Sequence, residues 1–250
     1  MGTEIKRKER VGLLDELRGF AIICMVVYHA MYDLNFIFGV KVPIFFDDWF
    51  DVVQSIFAGL FIFISGTVCR YSRDNMKRGV LCFFFGMILT FVTPFFNYYT
   101  IYFGILHFLG IAMMIFALSE KLLDYLPATV GIIIFGLLFI MTYNVRNGFI
   151  GIGGLFELKL WDNLYKVGVL FPFGFYNNTF VSLDYFPLFP WLFLFLAGSY
   201  FGVWAKNGSL PRFFYPVHIN WLATVGRYTL WIYMLHQPII YLIFSLIFRS

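Results

Sequence analysis

One apolar run near the N-terminus carries four ionisable residues on the same face of its predicted helix. They are Asp15, Arg18, His29 and Asp33. His29 follows Arg18 by eleven residues, close to three helical turns, and Asp33 follows one turn later. A carboxylate one turn from an imidazole can fix its tautomer and stabilise the imidazolium, as a general base requires. Ionisable groups at membrane depth are costly, so this stripe predicts a membrane active site or a proton path.

The alternative for His29 is a purely structural role, in which a carbonyl group of a neighbouring helix accepts a hydrogen bond from the imidazole. A lone histidine in a membrane helix is as consistent with that role as with catalysis. The carboxylate of Asp33 on one side and the aligned guanidinium of Arg18 on the other favour the functional interpretation.

Three further residues are candidates for binding an acceptor molecule. His107 and His236 lie in other apolar stretches, and each alone is as consistent with a structural role as with a functional one. Asp184 lies in an aromatic segment that either belongs to an interfacial belt or meets a polar molecule from outside. Pro238 frees a backbone carbonyl one turn before it, which Gln237 could satisfy.

The fourth histidine, His218, lies in a predicted loop and has the weakest claim to function. A basic cluster offers a different chemistry, and its members are Arg70, Arg73, Lys77 and Arg78. Such a cluster beside an apolar run is typical of a topology determinant that contacts lipid headgroups. It could also bind the phosphates of an anionic cytoplasmic donor, with Arg18 and Arg227 nearby. The sequence contains no Walker loop, dinucleotide fingerprint or HExxH motif.

The elements that must position these residues are membrane helices. Of the 250 residues, 61% are hydrophobic and 13% are charged, whereas a soluble domain has roughly 25% charged residues. The mean hydropathy is +0.80. We therefore predict an all-α polytopic membrane protein, a bundle of about seven transmembrane helices. The three cysteines, Cys24, Cys69 and Cys82, lack metal-ligand spacing and are interpreted as small buried hydrophobic residues.

Seven apolar stretches are long enough to cross a bilayer. They are residues 13–38, 52–69, 79–96, 100–118, 127–143, 186–205 and 219–248. If the N-terminus is cytoplasmic, thirteen of the 18 Lys and Arg residues fall on the inner side, which fits the positive-inside rule. The outer set is Lys41, Arg146, Lys159, Lys166 and Arg249. An eighth span stays open as an alternative, because the last stretch could break at Pro238.

We predict one domain over residues 1–250, with a basic cytoplasmic N-terminus at residues 1–12. Residues 144–185 are too polar to span, so they form an outer loop that could hold a re-entrant or interfacial helix near 155–170. Ser65-Gly66 is predicted to serve close helix packing rather than nucleophilic chemistry. Pro190 suits the first turn of the sixth span.

An ordered set of short motifs resembles the heparan-α-glucosaminide N-acetyltransferase-like family of membrane proteins. The motifs are Leu14-Asp15-Glu-Leu-Arg18-Gly19, Tyr28-His29, Tyr32-Asp33, Phe63-Ile-Ser-Gly66, Phe103-Gly-Ile-Leu-His107, Asp184-Tyr-Phe-Pro-Leu-Phe-Pro-Trp191, Gly226-Arg227 and His236-Gln-Pro238. They run in order over nearly the whole chain. Each motif is weak alone, whereas the ordered set is fairly specific. The spacing from Arg18 to His29 and the final His-x-Pro also resemble the broader transmembrane acyltransferase superfamily.

The resemblance implies a membrane-embedded acyltransferase that moves an acyl group, with acetyl as the first candidate and a longer acyl group as the alternative, from cytoplasmic acyl-CoA to an amine or hydroxyl of a sugar or glycan outside. It implies that His29 is the catalytic histidine, acting as a general base or carrying the acyl group transiently. Asp33 would assist it, and Arg18 would position the CoA pyrophosphate or brace His29. The expected donor-binding residues are Arg18, Arg70, Arg73, Lys77, Arg78 and Arg227, and the expected acceptor-binding residues are His107, Asp184 and His236.

The expected co-substrate is acetyl-CoA, and no metal is expected. The expected partners are acyl-CoA, the sugar or glycan acceptor and the lipid bilayer, without nucleic acid. A homodimer is one option for the oligomeric state, and the predicted location is a bacterial-type plasma membrane.

Two other classes of function fit the polar stripe. One is a proton-coupled small-molecule transporter, since membrane His and Asp residues also form proton relays. The sequence has no sign of an inverted repeat or of matched broken helices, which counts against this class. The other is a non-catalytic membrane scaffold in which the stripe only binds neighbouring helices.

Overall fold

The computed structural model describes residues 11–95 and 100–248. The predicted cytoplasmic N-terminus therefore lies outside the described residues for positions 1–10, as does Arg249. Within the described ranges, seven helices are long and apolar enough to cross a membrane. The prediction of an all-α polytopic membrane protein is confirmed.

Eight α-helices and one small hairpin make up the described chain. The helices are α1 (Gly12–Phe36), α2 (Asp48–Cys69), α3 (Asn75–Val92), α4 (Ile105–Leu123), α5 (Ala128–Thr142), α6 (Leu188–Lys206), α7 (Asn220–Arg227) and α8 (Thr229–Phe248). The antiparallel strands are β1 (Phe149–Ile152) and β2 (Phe156–Lys159). All the helices except α7 are candidate membrane spans.

The last apolar stretch breaks, but not at Pro238. Helix α7 ends at Arg227, the following Tyr228 has φ −101° and ψ 15°, and Pro238 lies inside α8. Helix α7 has 8 residues, so it reaches about 12 Å and cannot cross a hydrocarbon core of about 30 Å. The alternative of an eighth span created by a break at Pro238 is therefore wrong.

The chain divides into two compact units, while the prediction of one domain over the whole sequence stays a prediction. The first unit comprises the chain up to Ile64 together with the part from Gly208 onward, and the second comprises Ser65–Asn207. In the first unit, α7 and α8 both pack on α1. In the second unit, α3 packs along α4, and α5 packs along α6.

Helices α1 and α7 approach so closely that only glycine fits at their crossing. A Cβ added to Gly226 would collide with the carbonyl oxygen of Asp15, and one added to Gly19 would collide with that of Leu222. Both glycines belong to motifs that resemble the family. These motifs therefore have a packing role, because small residues let membrane helices come into contact.

A second close contact lies between α2 and α6, within the second unit. A Cβ on Gly66 would collide with the carbonyl oxygen of Phe195, and the hydroxyl of Thr67 donates a hydrogen bond to the carbonyl of Gly198 at 3.0 Å. The predicted close helix packing is confirmed at Gly66. In α6, Phe189 keeps an extended ψ of 127°, so the regular helix begins at Pro190, as expected for a proline in the first turn.

The interfacial α-helix predicted near 155–170 is wrong. The region contains the hairpin of β1 and β2, followed by two short 3₁₀ segments at Asp162–Lys166 and Gly168–Phe173. Gly154, in the turn between the strands, has a φ of 78°, and Gly151, within β1, has a φ of 127°; both values favour glycine. Further along, the Tyr185 hydroxyl donates to the carbonyl of Phe171 at 2.5 Å, and burial raises the pKa of Tyr185.

Candidate functional site

The N-terminal part of α1 holds α7 through two buried carboxylates. Glu16 accepts hydrogen bonds from the backbone N–H groups of His218 and Ile219, the latter at 3.0 Å, just before α7 begins. Asp15 lies 3.8 Å from the guanidinium of Arg227. Glu16 thus satisfies donors that the start of α7 leaves without partners. The sequence shows that Glu16 is acidic, but no local pattern predicts that it binds backbone groups about 200 positions away.

Arg18 binds the junction between α7 and α8. Its Nη2 donates a hydrogen bond to Oγ1 of Thr229, at 3.0 Å, and Thr229 is buried at the first position of α8. His29 lies about 16 Å further along α1, from the helical rise. Of the two predicted roles of Arg18, the bracing role therefore applies to the helix junction rather than to His29.

Asp33 is paired with Gln237 rather than with His29. The carboxylate of Asp33 is fully buried and accepts hydrogen bonds from Nε2 of Gln237 at 2.7 and 2.9 Å. No hydrogen bond joins Asp33 to His29 in the described structure. The predicted tautomer control by Asp33 therefore has no geometric basis, because its side chain turns towards α8. The amide nitrogen of Gln237 likewise binds Asp33 and not the carbonyl freed by Pro238.

His29 lies beside His236, with ring centroids 4.9 Å apart and an angle of 54° between the ring planes. The imidazole of His29 is half-buried and also meets the edge of Tyr28 at 5.7 Å. Among the described residues, it has no hydrogen-bond partner. Nδ1 of His236 lies 2.6 Å from the carbonyl oxygen of Tyr233 in the same helix.

The first unit thus contains a pair of histidines between two hydrogen-bonded contacts that join α1 to α8. Arg18–Thr229 lies on one side along α1 and α8, and Asp33–Gln237 lies on the other. Both contacts and the histidine pair follow the same order in the two helices, so α1 and α8 run parallel. The sequence reveals the members on α1, but their pairing with α8 appears only in the folded chain.

His107 belongs to the second unit, and both of its ring nitrogens are occupied. Nδ1 accepts a hydrogen bond from the backbone N–H of Gly104 at 3.2 Å, so the proton of the neutral ring is on Nε2. Nε2 lies 3.1 Å from the hydroxyl of Thr90, which donates to the carbonyl of Ile101 at 2.5 Å. His107 is 2% exposed. Its predicted acceptor-binding role has no ring nitrogen left to perform it.

Asp184 also has a structural partner in the second unit. Its Oδ2 accepts a hydrogen bond from the backbone N–H of Ile105, the first residue of α4, at 2.8 Å. His107, three residues into the same region, acts on the N–H of Gly104 as the third residue of a capping box does. Together the two side chains cap the start of α4.

The four basic residues after α2 separate into one buried and three accessible side chains. Arg70 is 5% exposed, its Nη1 donates to Asp124 at 2.5 Å, and its Nε donates to the carbonyl of Ser199 at 3.1 Å. Arg73 and Lys77 are exposed, and neither side chain forms a hydrogen bond or an ion pair with the described residues. Arg78 is half-buried and reaches Asn75 at 3.5 Å. The observed bonds of Arg70 are to the protein itself, and the accessible members of the cluster are Arg73, Lys77 and Arg78.

Comparison with known proteins identifies the family. A protein-family model described as "Heparan-alpha-glucosaminide N-acetyltransferase, catalytic" matches residues 10–238. The chain belongs to this family. The matched range includes α1, α7 and the part of α8 that carries His236 and Gln237, and the family points to a membrane acetyltransferase. No curated protein and no solved structure matches the chain.

Proposed function

We propose that the protein transfers an acetyl group from cytoplasmic acetyl-CoA to an amine or hydroxyl of a sugar or glycan at the outer side of the membrane. The observation that carries this proposal is the family match over residues 10–238. The predicted orientation, with the N-terminus in the cytoplasm of a bacterial-type plasma membrane, belongs to the same proposal.

His29 is the proposed catalytic residue. Its half-buried imidazole has no hydrogen-bond partner among the described residues, so its ring nitrogens can serve a substrate. As general base, His29 takes the proton from the acceptor N–H or O–H while that nitrogen or oxygen attacks the thioester carbonyl. The new C–N or C–O bond forms, the C–S bond breaks, and the CoA thiolate leaves with the electron pair and is then protonated.

The proposed donor site uses the accessible cations after α2. Arg73, Lys77 and Arg78 fit the phosphates of CoA because their side chains are exposed or half-exposed. Arg18 and Arg227 have partners in the first unit, Thr229 and Asp15. Their proposed role is therefore to hold α7 and α8 on α1.

The proposed acceptor site keeps His236 and omits two other candidates. His236 is in ring contact with His29. His107 and Asp184 are omitted because their polar atoms cap the start of α4. Asp33 is kept as a residue that holds α8 against α1 near His29, rather than as a group in the chemistry.

The test measures thiol release from acetyl-CoA by the purified protein in lipid nanodiscs, with a panel of amino and hydroxy sugars. Wild type should release thiol in the presence of an acceptor, and His29→Ala should not. His218→Asn is the matched control, since this exposed loop histidine lies outside the proposed site. Absence of turnover with every acceptor, or proton flux in liposomes that depends on His29, would reject the proposal and favour the transporter.

A further inference from the structure

We infer that His236 is a positioning residue that acts through His29 in the proposed transfer reaction. The inference rests on the proposed function and adds a specific role for one nitrogen of His236. Its basis is the ring contact of 4.9 Å between the two histidines and the hydrogen bond within α8 that orients His236.

The bond to Tyr233 determines which nitrogen of His236 carries a proton. A carbonyl oxygen can only accept, so Nδ1 of His236, at 2.6 Å from it, must be the donor. In the neutral ring the lone pair is then on Nε2.

The proximity of the two rings restricts their combined charge. Two imidazolium groups with centroids 4.9 Å apart would repel each other, so a second positive charge on the pair is disfavoured. When His29 takes a proton from the acceptor molecule, the adjacent ring of His236 carries its lone pair on Nε2. We therefore assign His236 the role of orienting the His29 ring and stabilising its protonated form.

Two hydrogen-bonded contacts between α1 and α8 hold the rings of His29 and His236 next to each other. Gln237 follows His236 directly and binds the carboxylate of Asp33, one turn after His29. Arg18 binds Thr229 at the start of the same helix. Because α8 is attached to α1 on both sides of the histidine pair, the separation of the two rings is set by backbone elements rather than by a flexible loop.

Three substitutions separate the two nitrogens of His236. His236→Asn retains a donor near the position of Nδ1, His236→Gln retains an acceptor near the position of Nε2, and His236→Met fills the space without either. If Nε2 is the group that acts, the Gln variant should keep most of kcat. The Asn and Met variants should lose about tenfold or more in kcat, less than the roughly 10²–10⁴-fold of a group that transfers the proton directly. KM for acetyl-CoA should be unchanged in all three.

Equal kcat values in the Asn and Gln variants would overturn the inference, as would wild-type kcat in the Met variant. Melting temperatures of the variants in detergent control for folding. If wild type is active and the variants match it, only this inference fails; if wild type is inactive, the proposed function fails.

A second measurement does not require turnover. Spectra of ¹⁵N-histidine-labelled protein should show a protonated Nδ1 and an unprotonated Nε2 for His236 in wild type. The His29 signals should shift in His236→Asn and much less in His236→Gln. Unchanged His29 signals in both variants, or a proton on Nε2 of His236 in neutral wild type, would overturn the inference.

Discussion

His29 in the first unit and His107 in the second are both histidines of candidate membrane helices, but their rings are used differently. Both ring nitrogens of His107 have partners, and the side chain is 2% exposed. His29 is half-buried and has only ring contacts among the described residues. The difference teaches that hydrogen-bond saturation, and not residue type or membrane location, separates a structural histidine from one available to a substrate.

The physical reason is the cost of an unpaired polar group away from water. His107 avoids this cost because its Nδ1 accepts a hydrogen bond from the N–H of Gly104 and so caps the start of α4. The imidazole of His29 lacks such a hydrogen bond within the described part of the chain. A polar group that destabilises the fold in this way is a candidate for a functional role. The same comparison distinguishes Arg70, which is buried and paired, from the exposed Arg73.

The largest expected effect is on catalysis by His29→Gln. This change removes the proposed base, so kcat for thiol release should fall by about 100-fold or more. The melting temperature in detergent should change by only a few degrees, because the ring of His29 makes no hydrogen bond to the described chain. A loss of stability as large as that of the matched His107→Gln variant would break the comparison.

The next effect is on stability, in His107→Leu. This substitution leaves the buried N–H of Gly104 without its acceptor and removes the contact of His107 with Thr90, whose hydroxyl keeps its bond to Ile101, and we expect a loss of about 2–4 kcal/mol. Titration with a denaturing detergent measures it. Activity per folded molecule should stay within a few-fold of wild type; a selective loss of turnover with normal stability would instead assign His107 to the reaction.

A smaller effect is expected from Asp33→Ala, which leaves the buried amide of Gln237 without its acceptor. The expected loss of stability is about 1–3 kcal/mol. Asp33→Asn retains an acceptor oxygen and should restore most of it. If the Asn variant is stable but loses activity as completely as His29→Gln, Asp33 takes part in the chemistry and does more than hold α8 against α1.

The smallest effect is expected from Arg73→Gln, with Arg70→Gln as its counterpart three positions earlier. Arg73 is exposed, so stability should change by less than about 0.5 kcal/mol, while KM for acetyl-CoA should rise about two- to fivefold through the loss of one phosphate contact. Arg70→Gln should lower stability and leave KM unchanged. The opposite pattern would exclude Arg73 from the proposed donor site.

Local patterns predicted much of the fold. Hydropathy located seven spans, the helical period placed Arg18 and His29 on one face, and Ser65-Gly66 indicated close packing. The secondary structure of residues 144–185 could not be predicted in this way, because their glycines and aromatic residues do not form a periodic pattern. A hairpin and two short 3₁₀ segments occupy this region, and the positive φ of Gly154 places a turn at the start of the stretch where a helix near 155–170 was considered.

The sequence by itself determined which side chains lie along α1, because helical geometry depends only on residues a few positions apart. It also determined the family, through motifs spread over residues 10–238. The tertiary structure alone decided their partners: Gln237 for Asp33, Thr229 for Arg18 and His236 for His29. These contacts join helices about 200 positions apart, and only the packing of α7 and α8 on α1 determines which atoms meet.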